Sequence, residues 1–258
     1  MIPGVHAERG RYRSASRSAA PSRSNDLLDD VPHRDRAQLV RLLEPVVLTS
    51  GEVLHEPGEI RQVYFPLDCV VSLLAPLKGR QAIECAVVGS EGMVGLPLVL
   101  GILTCPLQAI VQGSGSALRI GAPAFARELQ RNTPLKNSLD RYIHLRMGQL
   151  MQTTACNTFH SIEARCARWL LMSRDRMGSD EIEVTHEFLA RMLGVRRVGV
   201  TVAAGNLQRL GLITYARGHM TILNGGRLAK SACVARSARS IMRSRLCQCL
   251  LSPHWIAK

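Results

Sequence analysis

Two adjacent arginines, Arg196 and Arg197, stand in the stretch VTHEFLARMLGVRRVGVTVAAGNLQRLGLITYARGHMTIL, residues 184 to 223. Each guanidinium is a fixed fork of N–H donors, which matches paired acceptors such as the O6 and N7 of guanine. Thr201, about one helical turn further on, offers a hydroxyl to a phosphate or a methyl contact to thymine. This is the chemistry of reversible hydrogen bonding. No nucleophile, base and orienting group stand together, and His186-Glu187 lacks the downstream His of a zinc hydrolase. No metal-ligand spacing is visible either. We therefore expect no enzyme, no metal and no other cofactor.

The elements that must position these side chains follow from punctuation and period. Thr185 is an N-cap ahead of Phe188 and Leu189, and Met192-Leu193-Gly194 stops that helix at a glycine. A second helix, from about Arg196 to Leu210, buries Val200, Ala203, Ala204 and Leu207 and turns its arginines outward. Two helices joined by a tight turn make a helix-turn-helix, with its donors at the front of the second helix, where base edges are met in the major groove. ITYA and HMTIL then form a hairpin about Arg217-Gly218, a wing that brings Arg217 and His219 to phosphates. With Thr185, Val198, Gly199 and Val202, these residues make up the expected DNA-contact set.

Upstream, Ser161 to Met177 reads as a helix ended by Gly178, and Thr133-Pro134 opens a longer one. The longer helix carries a second stripe, Leu139, Ile143 (or Tyr142), Arg146 and Leu150, suited to a partner helix and hence to a homodimer. Between Val46 and Ile120 the segments VVLT, QVYFPL, CVVSLL, AIECAVV and AIVQ are separated by glycine-rich turns. Many short strands at such intervals suggest a β-barrel or jelly-roll.

The 258 residues suffice for two modest cores, and no apolar run is long enough to span a membrane. The formal net charge of +13 is uneven: residues 1–24 hold +4 and residues 229–258 hold +6, residues 25–160 hold −1, and residues 161–228 hold +4. A folded basic patch thus sits in the C-terminal third. Eight cysteines without a CxxC pair read as reduced thiols of a cytoplasmic protein. The expected organisation is a disordered basic tail (1–25), a β-roll (26–131), a dimerisation helix (132–160), a winged helix-turn-helix (161–228) and a basic C-terminal tail (229–258). The fold class is α+β.

The segments TACNTFHSIEARCARWLL, THEFLARMLGVRRVGVT and GLITYARGHMTIL resemble the Crp/Fnr superfamily of bacterial transcription regulators, over roughly residues 35 to 230. The resemblance implies a double-stranded β-helix of the cyclic-nucleotide-binding type, a homodimer, a pseudo-palindromic site in double-stranded DNA, and RNA polymerase as a candidate partner. It places Arg197 at the position of the family's base-contacting arginine. Val198 stands where many members have Glu, and Val202 where many have Arg. The resemblance also gives a meaning to VGSEGMVGLPLVLGILTCPLQA, residues 88 to 109. Gly89, Gly92 and Gly95 match the framework that cradles a phosphate, but Leu96 replaces the ribose-binding Glu, and Leu107 or Gln108 replaces the phosphate-pairing Arg. The pocket is therefore read as degenerate. A different ligand, a signal at Cys69, Cys85 or Cys105, and no effector at all stay open. The competing reading is a ligand-binding or protein-interaction module whose winged helix does not read DNA sequence.

Overall fold

Short apolar-polar alternation makes strands of the first half of the chain, and period-3.6 patterns make helices of the second. The computed structural model describes residues 24–76 and 82–233; most of the expected N-terminal tail and nearly all of the expected C-terminal one lie outside the described residues. Two small helices, α1 (Asp26–Asp29) and α2 (His33–Val40), come first. The strands follow: β1 (Glu44–Leu48), β2 (Val53–His55), β3 (Gly58–Glu59), β4 (Gln62–Pro66), β5 (Val70–Pro76), β6 (Ala82–Val88), β7 (Thr104–Cys105), β8 (Gln108–Gly113) and β9 (Gly115–Gly121). A 3₁₀ turn, Leu96–Leu100, lies between β6 and β7. All pairings are antiparallel, in sheets ordered β1-β9-β4 and β2-β8-β5-β6 with the small pair β3-β7, as a jelly-roll requires.

One apolar cluster joins the roll to its helices through Phe65, Phe125, Leu135, Leu139 and Tyr142; a second, with Val71, Val88, Val94 and Val111, fills the roll itself. Asn25, assigned to the tail by the sequence, belongs to the fold. It is buried, caps α1, and donates its amide to Pro66 O and Gly92 O, both at 2.9 Å.

The roll ends in α3 (Ala122–Arg131), and Asn132 caps the long helix α4 (Thr133–Phe159) by accepting from Leu135 N–H at 3.0 Å. His160 is extended at the end of α4, and Ser161 caps α5 (Ile162–Met177), so the hinge between the two helices is only two residues long. The rest is β10 (Glu181–Glu183), α6 (His186–Leu193), α7 (Arg197–Arg209), β11 (Ile213–Ala216), β12 (His219–Ile222) and α8 (Gly225–Ser231), with a sheet ordered β10-β12-β11. Both α8 and the buried Cys233 carry the fold past the expected boundary at 228.

The stripe assigned to a partner helix is only partly open. Leu139 is fully buried in the cluster shared with the roll, and Arg146 is buried, donating to Val87 O at 3.1 Å and Gln149 Oε1 at 2.9 Å. Ile143 packs at the edge of that cluster, and of the four only Leu150 is exposed. The face α4 leaves uncovered is instead Met147, Leu150 and Met151. The upper half of the helix pays out its apolar stripe to its own domain because α1, α2 and α3 all pack there.

A candidate DNA-reading face and the ligand loop

The helix-turn-helix is built as its punctuation dictates. Thr185 accepts from Phe188 N–H at 3.1 Å, and Gly194 ends α6 in the left-handed region at φ +63°. The apolar side of α7, Val200, Ala203, Ala204 and Leu207, is buried against α5 and α6. Its opposite side is open: Arg196, Arg197, Val198, Thr201 and Val202 are all exposed. Arg196 is the N-cap residue, and no side-chain capping bond is made there. The two-residue turn of the wing has positive φ at both Arg217 (+49°) and Gly218 (+85°), the type I′ pattern that matches strand twist, and this puts Arg217 at the tip.

Three members of the expected contact set have other work. Gly199 faces inward, and a Cβ there would lie 2.8 Å from Ile162 Cδ1, so its role is the close crossing of α5 and α7. Thr201 donates its hydroxyl to Arg197 O at 3.2 Å, and its oxygen lies 3.0 Å from His186 Nδ1, which leaves the methyl as its free group. His219 is 3.8 Å from Glu183 Oε1, an acid that competes with any phosphate. His186, which the sequence presents only as part of an incomplete zinc-hydrolase motif, has a different place here. Its ring stacks on Tyr215 at 4.1 Å and 17°, tying the helix-turn-helix to the wing. Burial, and then the nearby Arg197 charge, hold its pKa below the ordinary imidazole value, so it is neutral at pH 7. Only its partnership across the fold marks it, and no local spacing would have found it.

The helix-turn-helix unit is docked on the roll. Helix α6 packs on β6, Gln112 Nε2 lies 3.6 Å from Met192 Sδ, and a Cβ on Gly194 would come within 2.9 Å of Ile83 Cδ1. At the same seam Arg176 of α5 meets Glu91 through Nε at 2.9 Å and Nη2 at 2.8 Å. Burial works to raise the Glu91 carboxyl, but Arg176, and less strongly Arg146, outweigh it and hold the pKa below the usual range. Glu84 also lies here. It accepts from Ser72 Oγ at 2.5 Å and Gln112 Nε2 at 3.1 Å, yet burial pushes its pKa up to about 7.

Residues 164–231 match the family model of the Crp-like helix-turn-helix domain. None of the curated proteins matches the chain by sequence. Among solved structures it is similar to a Crp/Fnr-family transcriptional regulator from Eubacterium rectale, at 19% identity and a TM-score of 0.63, covering 80% of this chain and 96% of the other. FixK2 from Bradyrhizobium japonicum superposes with a TM-score of 0.64 at 14% identity, over 75% of this chain and 99% of that one. The c-di-GMP-responsive regulator CLP of Xanthomonas campestris gives 0.63 at 14% identity, over 75% and 100%. At such identities these structures establish the fold, and the family model establishes the domain. The chain thus carries a Crp-like helix-turn-helix domain within the fold that these regulators share.

In the roll the glycine loop is closely packed at Gly89 and Gly92. A Cβ on Gly92 would fall 1.9 Å from Tyr142 Oη, and one on Gly89 would fall 2.7 Å from Glu91 Oε2 and 3.1 Å from Arg176 Cγ. Gly95 holds φ at +100° at the head of the 3₁₀ turn. Leu96 and Leu107 pack against the core, and the Gln108 amide donates to Glu56 Oε2 at 2.9 Å. The pocket residues are thus brought together around apolar contacts and an internal ion pair. Two of the thiols considered for signalling are poor thiolates: burial, followed by Asp68, pushes Cys69 up to about 12, and burial raises Cys85 as well. Among the described residues, no helix is long and apolar enough to cross a membrane.

Proposed function

We propose that this protein is a transcription regulator of the Crp/Fnr type, a homodimer that reads a pseudo-palindromic DNA site through α7, and that its roll takes no cyclic nucleotide. The observation that carries the reading is the open strip Arg196, Arg197, Val198, Thr201 and Val202, with Arg217 beyond it on the wing. Arg197 supplies the bidentate donor for a guanine. Val198 and Val202 are 73% and 58% exposed, an unusual outlay of apolar surface on a soluble face, and in a major groove they meet thymine methyls. Met147, Leu150 and Met151 on α4 give a second copy an apolar surface to cover. A cyclic nucleotide phosphate would find no uncommitted arginine in the loop, since Arg176 is paired with Glu91, and an unpaired buried charge costs several kcal/mol.

Selection from randomised duplexes with the full chain tests this. We expect two half-sites about 10 to 10.5 base pairs apart, centre to centre, or a multiple of that spacing. Arg197→Ala should weaken binding by about 1–3 kcal/mol and relax the choice of base at one position in each half-site. Binding without sequence enrichment, or an Arg197→Ala variant with unchanged preference, refutes the reading.

A further inference from the structure

We propose that Cys156, His160 and Cys233 form a binding site for a thiophilic divalent cation of the zinc type at the hinge between α4 and the DNA-binding domain. The three ligand atoms, two Sγ and one imidazole nitrogen, all lie within 4.8 Å of one another. A tetrahedral ion with Zn–S near 2.3 Å and Zn–N near 2.0–2.1 Å needs neighbouring ligands about 3.5–3.8 Å apart, so a small closure of the cluster completes three corners. Cys156 and Cys233 are buried while His160 is exposed, which leaves the fourth corner open to water. Two thiolates balance a dication's charge, and two sulfurs with one imidazole select zinc-type ions over oxygen-seeking Mg²⁺ or Ca²⁺.

The cluster is held by its surroundings. Cys156 lies in the last turn of α4, and the His160 N–H at the helix end bonds its carbonyl at 3.1 Å. Gln152 Nε2 lies 3.4 Å from Cys156 Sγ, and the Cys233 N–H bonds Ala164 O of α5 at 3.2 Å. Arg168 of α5, bonded to Thr153 Oγ1 at 3.3 Å, ties the same two helices together beside the site. An ion here would clamp the end of α4, the two-residue hinge and the chain beyond α8. Its effect on DNA rests on the reading proposed above; the site itself does not.

The 258-residue chain, reduced and stripped of metal, is titrated with Co²⁺ in a Cys247→Ser, Cys249→Ser background, which removes a thiol pair two residues apart in the sequence. The expected result is thiolate-to-cobalt charge-transfer absorption with the strong visible bands of a tetrahedral site, saturating at one equivalent per chain and displaced by Zn²⁺. His160→Gln, at an exposed position that leaves the fold intact, should weaken binding by about tenfold or more. Cys233→Ser should abolish the charge-transfer signal of two thiolates, with circular dichroism confirming that the chain is folded. An absent cobalt spectrum, or one unchanged by His160→Gln and Cys233→Ser, overturns the proposal. So does a Cys156–Cys233 disulfide in air-purified protein that takes up no cobalt after reduction. Cobalt binding needs no DNA, so failure here leaves the DNA reading standing, and failure of the DNA reading leaves this test intact.

Discussion

Removing Arg176 should strongly destabilise the seam between the roll and the helix-turn-helix domain. The side chains of Arg176 and Glu91 are 5% and 3% exposed, and the guanidinium makes two contacts to one carboxylate oxygen. Breaking such a pair leaves a desolvated charge without its partner, which costs about 3–5 kcal/mol. Arg146 supplies a second, weaker positive field at Glu91, so Arg176→Met should fall near about 3 kcal/mol, the lower end of that range. The double variant Glu91→Gln, Arg176→Met carries neither charge and should recover most of that loss, since a buried pair replaced as a unit is close to neutral. Urea unfolding of the parent, both single variants and the double variant gives the coupling energy, expected to exceed about 2 kcal/mol. Singles within about 0.5 kcal/mol of the parent, or strictly additive effects, would mean that the pair is solvated and the domains are not docked in this way.

Three further outcomes follow from the same geometry. Gly92→Ala places a methyl on Tyr142 Oη and should destabilise the roll by about 1–3 kcal/mol or more, partly relieved by Tyr142→Phe; an unchanged thermal midpoint would show that the loop is open. Glu84 binds its proton more tightly in the fold, near pH 7, than in the unfolded chain, near 4.5, so stability should fall as pH rises between those values and then level off. Glu84→Gln should flatten that profile and be the more stable protein at pH 8, by up to about 3 kcal/mol, as read from urea midpoints across pH. Val198→Glu puts a carboxylate on the open strip and should shift the selected base at one position per half-site to cytosine, whose N4 donates to it; duplex selection with the variant reports this directly.

Local rules made the DNA-binding unit legible, and non-local ones hid much of the rest. Thr185, Gly178, Gly194 and the Arg217-Gly218 turn each act within a few residues of themselves, so their caps and turns could be read from the chain. Strand β9 was not legible, although it is the centre of its sheet, pairing with both β1 and β4. Its sequence GSALRIG opens on glycine and serine and alternates only weakly, because the buried positions Ala117 and Ile120 are set by partners more than 50 residues away. The α4 stripe misled for a related reason: periodicity shows that Leu139 and Arg146 share a face but not whether their own roll or a second copy covers it. The metal-ligand cluster escaped because Cys156 and His160 stand four apart on one helix end, while Cys233 joins them only through the packing of α5 and α8.

The glycine loop shows why backbone framework and ligand chemistry must be argued separately. Gly92 is required because Tyr142 of the long helix lies against it, and Gly89 because Glu91 and Arg176 crowd it. The two glycines therefore mark where the roll touches α4 and α5, the helices on either side of the hinge. A carboxylate from the loop and a guanidinium from the DNA-binding domain satisfy each other there, so the loop has no charge left over for a phosphate. The same contact makes the loop a natural point of coupling. A state of the roll that displaces Glu91 must either carry Arg176 with it or leave both charges buried and unpaired, and that difference in free energy is what a shift between two placements of the helix-turn-helix domain requires. The glycines of this loop thus serve its connection to the hinge, whatever the roll binds.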